Sequence, residues 1–88
     1  MLREKLAAVQ HAIWMHWMKY MFTCGTFNPD GSWTMPAEKV DRWRRQMVTD
    51  FADLTLQEQK SDYEQADKVC MVLEQNLWAF MPQAGDSE

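Results

Sequence analysis

From Leu2 to about Thr23 the chain runs without a single Gly or Pro. Along this stretch Leu6, Val9, Ile13, Trp17 and Tyr20 recur at spacings of three and four, the signature of one apolar helix face. Trp14, Met18 and Met21 carry apolar character beyond that face. A helix apolar over so much of its circumference has to be central to the fold or covered by a partner. Everything else in the chain has to be arranged around that demand.

The remaining segments are short and well punctuated. Cys24-Gly25 ends the first helix, with Gly25 suited to the left-handed position after a helix C-cap. Asn28-Pro29-Asp30-Gly31 reads as a type I turn with Gly31 supplying a positive φ. Phe27 and Trp33 flank it, so a short hairpin or tight loop is expected, not a sheet. Pro36 suits the first position of a second helix, with Glu38 and Asp41 in or near its first turn and Val40, Trp43 and Met47 on one side. Thr49 to Leu54 reads as a connector that sends Phe51 and Leu54 inward. Thr55-Leu56-Gln57-Glu58 is a capping box that opens a last helix reaching about Phe80, with an apolar stripe of Tyr63, Ala66, Cys70, Leu73 and Leu77. The fold class that follows is mainly α: one three-helix domain over residues 1–81, a hairpin or loop between helices 1 and 2, and a flexible tail over 82–88.

Composition narrows the function classes. A chain of 88 residues makes one domain and buries roughly 60–65% of its unfolded surface. Five Trp and eight Met are many for such a chain, and both residue types are favoured at interfaces and adaptable pockets. The net charge of −4 argues against duplex nucleic acid, whose binding rests on neutralising phosphates. No stretch approaches the roughly 18 uncharged apolar residues of a membrane span. The charged start Met1-Leu2-Arg3-Glu4-Lys5 does not read as a signal peptide, so a cytoplasmic location with Cys24 and Cys70 as reduced thiols is expected.

No catalytic constellation is legible. His11 and His16 lie about 140° apart around the first helix and cannot share a metal without a third element. Neither cysteine has a base near it in sequence, and the acidic residues of the last helix mostly follow a solvated face. Neither an enzyme, a cofactor nor a metal site is expected. One segment stands out, Lys39-Val40-Asp41-Arg42-Trp43-Arg44-Arg45-Gln46-Met47, where three arginines fall within four residues of an acidic chain. Arg42 and Arg45 share a face at i, i+3 spacing beside Gln46. Guanidinium suits bidentate capture of phosphate or carboxylate, and Trp43 offers a face for a planar base. The competing reading is a solvated basic face balanced by the acidic last helix.

His11-x-x-Trp14, Phe51-x-x-Leu54, Glu58, Asp62 and Ala66 together resemble the ryanodine-receptor-type (RyR) domain in its small stand-alone form, associated with phage and prophage proteins. The resemblance spans about residues 6–70. The chain departs from the family pattern at Arg45-Gln46, where the family tends to have His-Pro, at Asp50-Phe51, where it has Pro-Tyr, and at Tyr63, where it has Arg. The family's Gly-Trp-x-Tyr-Gly element is not recognisable, and the Asn28–Trp33 turn occupies its place. The resemblance implies a ligand-sensing module for a nucleotide-derived small molecule. For a phage-encoded copy it further implies an anti-defence sponge in the host cytoplasm that sequesters a signalling nucleotide.

Two readings of function result. In the first, Arg42 and Arg45 hold phosphates, Trp14 and Trp43 wall the base, Gln46 or Asp62 reads polar edges, and His11 and Met18 complete the site. In the second, the chain is a protein–protein interaction module, such as an inhibitor of a host protein, that presents a Trp and Met surface. In either case a three-helix domain has too little inner surface to cover both stripes of the first helix. A homo-oligomer is therefore expected, most simply a two-fold dimer.

Overall fold

In a computed structural model, residues 1–80 are described, and the expected tail over 82–88 lies outside them. The chain forms α1 (Leu2–Thr23), β1 (Thr26–Phe27), β2 (Trp33–Thr34), α2 (Ala37–Met47), a 3-10 turn (Phe51–Asp53) and α3 (Leu56–Phe80). The mainly helical three-helix reading therefore holds, with a hairpin of two residues per strand between the first two helices.

That hairpin closes as its turn residues dictate. The Gly31 N–H donates to the Asn28 carbonyl at 3.0 Å, Asn28 N–H to Ser32 O at 2.7 Å, and Gly31 sits at φ 89°. Asp30 accepts from the backbone N–H and the hydroxyl of Ser32, and the Asn28 side-chain amide donates to Ser32 and Thr34 across the turn. The pair Phe27 and Trp33 then folds back on the end of α1, where Phe22 stacks on Phe27 and meets Trp33 edge-on. Gly25 does not serve as a left-handed cap, because Gly31 is the one glycine with positive φ among the described residues. Its role is close approach: a Cβ there would lie 2.4 Å from both the Thr34 carbonyl oxygen and the Trp33 ring.

Pro36 stands one position earlier than the sequence suggests. It is the N-cap of α2 at φ −61°, ψ 144°, and its carbonyl accepts from Lys39 and Val40. The connector after α2 is tied to α3 by the Gln59 side-chain amide, which donates to the carbonyls of Phe51 at 3.0 Å and Ala52 at 3.3 Å. The capping box is formed in full. The Glu58 N–H donates to Thr55 Oγ1 at 3.2 Å, and the Thr55 N–H donates to Glu58 Oε1 at 3.0 Å.

α1 and α3 are the helices that pack together, and the last turns of α1 and the first turns of α3 line one groove. On α1 the face turned inward is Leu6, Val9, Ile13 and Trp17, as the periodicity indicates. On α3 the face turned inward is a mixed one, with Ser61, Gln65, Val69, Val72 and Asn76. The apolar stripe of α3 points elsewhere: Tyr63 and Leu77 are each 58% exposed. Among the described residues no hydrophobic side chain is buried, and Gln65, which accepts from the Lys68 ammonium, is the one buried polar residue. Phe51, expected to point inward, is exposed, whereas Leu54 is half-covered.

The shape reflects this. The Cα radius of gyration is 18.7 Å, against about 12 Å for a closed domain of this length.

Two substitutions test these local arguments. Thr55→Ala removes an N-cap hydroxyl and is expected to lower stability by about 0.5–2 kcal/mol in denaturant melts; an unchanged midpoint would place the start of α3 elsewhere. Gly25→Ala forces the hairpin away from α1, so a loss of about 1–3 kcal/mol is expected together with altered near-ultraviolet dichroism from Trp33.

Candidate functional site

An open groove of about 730 Å³ lies where the end of α1, α2, the connector and the start of α3 converge. α1 contributes Trp17, Met18, Tyr20 and Met21, and α2 contributes Arg42, Trp43 and Gln46. Phe51 and Leu54 form part of the connector wall, and α3 adds Glu58, Ser61, Asp62 and Glu64. The groove therefore has an aromatic and thioether side and a polar side.

Of the residues singled out by sequence, Met18, Arg42, Trp43, Gln46 and Asp62 meet in this groove. His11 and Trp14 do not. They lie earlier on α1, beside Ala7 and Gln10 in a shallow depression, with their rings stacked at 5.7 Å and an interplanar angle of 15°. Arg45 is also outside the lining, and its guanidinium is held by Glu58 at 2.5 Å. The expected Arg42–Arg45 pair is thus divided. Arg42 and Gln46, at i, i+4, face the groove, while Arg45, about 60° further round the helix, latches α2 to α3.

Glu58 is the electrostatic centre of this region. Its carboxylate accepts from the Gln46 side-chain amide, from Arg45 and from the Thr55 backbone N–H. These bonds, Gln46 first, hold its pKa down at about 2 from an ordinary 4.5. The positive charge of Arg45 is consequently paired within the chain, at the surface. Arg42, by contrast, has no carboxylate within ion-pair distance among the described residues. The phenol of Tyr20 is pushed above its ordinary value, first by the neighbouring Cys24 thiol, with Arg42 acting in the opposite direction. Tyr20 is therefore a neutral hydroxyl at the groove edge near neutral pH.

Sequence reasoning missed Trp17, Tyr20 and Met21 as groove residues. The signal was present, since the apolar character of α1 extends around the helix, but such residues are more often core. Glu58 was legible only as half of a capping box. Its grip on Arg45 and Gln46 depends on how α2 meets α3, which no local pattern encodes. Among the described residues no group of three or more His, Cys, Asp or Glu is placed to hold a metal ion. No helix among them is long and apolar enough to cross a membrane.

The depressed pKa of Glu58 fixes the sign of an acid effect. Its stabilising contribution is complete above about pH 4.5 and is lost as the pH falls through about 2. Helicity followed by circular dichroism should therefore fall across that acid range. Glu58→Gln should be less stable at neutral pH and show a shallower acid dependence than wild type; identical acid profiles would mean that the latch contributes nothing.

No protein-family model matches this chain, and neither a curated protein nor a solved structure is significantly similar to it.

Proposed function

We propose that this chain is a small-molecule-binding module whose site is the groove between α1, α2 and α3, and that its ligand is nucleotide-like. The supporting observation is the convergence in one groove of the Arg42 guanidinium, unpaired among the described residues, the indole rings of Trp17 and Trp43, and polar groups at Gln46 and Asp62. Its volume falls within the roughly 300–1,000 Å³ typical of small-molecule sites. A planar ring would lie against the indoles, an exocyclic amine would donate to Asp62, and an anionic group would meet Arg42. With Arg45 neutralised by Glu58, and with Asp62 and Glu64 in the lining, the groove favours a ligand of low charge. A nucleoside monophosphate or cyclic nucleotide fits that balance better than a triphosphate. Sequestration of a signalling nucleotide is the use that the RyR-type resemblance implies for such a site.

A second reading, a protein-interaction module, is favoured by one separate observation: Trp14 is 54% exposed, away from the groove. A large-area contact with another protein would cover it.

Calorimetric titration with mono-, di- and cyclic nucleotides tests the groove. Arg42→Ala is expected to weaken binding by about one to two decades, with partial recovery in Arg42→Lys. Arg45→Ala should act mainly by lowering the melting temperature, and Arg44→Ala should change neither property. If no nucleotide binds, or if Arg42→Ala binds as wild type does, the interaction reading takes its place.

A further inference from the structure

We propose that a second copy of this chain covers the outer stripe of α3 through an antiparallel, two-fold helix pairing. The first ground is exposure. Among the described residues no hydrophobic side chain is buried, and Tyr63 and Leu77, at the two ends of this stripe, are each 58% exposed.

The second ground is the stripe itself. Tyr63, Ala66, Cys70, Leu73 and Leu77 alternate three and four apart, the a and d spacing of a helix pair, and none carries a charge. Ala66, Cys70 and Leu73 are all exposed, although they lie in the middle of a long helix. The stripe contacts neither α1 nor α2 as its main partner, because α3 turns its Ser61, Gln65, Val69, Val72 and Asn76 face to α1. A single apolar stripe of this kind is self-complementary, and a two-fold axis closes it without leaving an open end.

Charge favours the antiparallel direction, since parallel helices would set Asp62 against Asp67 of the second copy twice, and overlap of the stripe sets the register. With the helices antiparallel, Tyr63 can lie opposite Leu73 of the second copy and Ala66 opposite Cys70 of the second copy. That register sets Lys60 beside Glu74 of the second copy, twice by symmetry, against one repulsive meeting of Asp67 with its own copy near the axis. Sliding one heptad one way sets Asp67 against Glu74 twice; sliding the other way sets Lys60 beside Asp67 but puts Gln59 opposite Cys70 and leaves Leu77 without a helical partner, so the apolar overlap fixes the register. The two Cys70 side chains then lie within about one helical turn of each other across the axis.

The test uses the full chain. Sedimentation equilibrium from nanomolar to about 100 µM should give twice the chain mass of 10.5 kDa at the upper end. Leu73→Glu should raise the dimer dissociation constant about a hundredfold or more, with helical dichroism retained. A second arm covers the case in which that variant loses its fold. Cys24→Ser, treated with a short bismaleimide, should give one covalent dimer through Cys70, and Cys24→Ser/Cys70→Ser should give none. A monomer throughout the wild-type series, unaltered assembly in Leu73→Glu, or absence of the Cys70 crosslink would each overturn the proposal. Leu73 lies outside the groove, so loss of pairing and loss of ligand binding are separate outcomes.

Discussion

One carboxylate fastens the second helix to the third. Glu58 caps its own helix through Thr55 and, from the same position, accepts from Arg45 and Gln46 at the end of α2. An isolated helix of eleven residues is marginal in water, and α2 has little apolar surface to dock: Val40 and Trp43 are half-covered, but Met47 is 83% exposed. What fixes α2 is therefore polar and geometric. A guanidinium at the C-terminal turn of α2 also complements the carbonyls left unpaired there, so Arg45 stabilises its helix end while reaching Glu58. Without this latch the groove would lose the wall that carries Arg42 and Trp43.

The latch also sets the chemistry of the groove. The sequence contains a basic cluster, but the structure uses one member of it as a fastening and leaves Arg42 facing the open volume. A polyanion would meet one cation there and the carboxylates of Asp62 and Glu64. For a ligand in the proposed site, this balance would favour stacking on indole, one anionic contact and hydrogen bonds to carboxylate and amide over a phosphate chain.

The parts of this structure legible in the sequence are those governed by local rules. An uninterrupted apolar period placed α1, the Thr55–Glu58 pair placed the start of α3, and Asn-Pro-Asp-Gly placed the hairpin turn. The parts that were not legible depend on which surfaces meet. Periodicity marks the most apolar face of α3 as its packing face, a rule that assumes that the chain closes on itself. Here the shallow side of the helix, with Ser61 and Gln65, lets α1 approach, and Tyr63, Leu73 and Leu77 remain outside. In the same way, i, i+3 spacing pairs Arg42 with Arg45, yet a neighbouring carboxylate on another helix separates their roles. Gly25 was rightly marked as special for the wrong reason: steric room for Trp33, not a left-handed backbone.

The groove and the outer stripe of α3 are not independent surfaces. Phe51 lines the groove, and its ring meets Tyr63 edge-on at 5.3 Å, while Tyr63 is the first aromatic of the stripe. Phe51 sits in a 3-10 turn whose carbonyl is held by Gln59 of α3, so the turn moves with that helix. A second copy that packs on Tyr63 would therefore restrict the ring that walls the groove. A ligand that orders Phe51 would in turn pre-position Tyr63 for pairing. Such coupling is reciprocal by thermodynamic necessity, whatever its size. In this fold its route would be one aromatic contact between a connector turn and the exposed side of a helix.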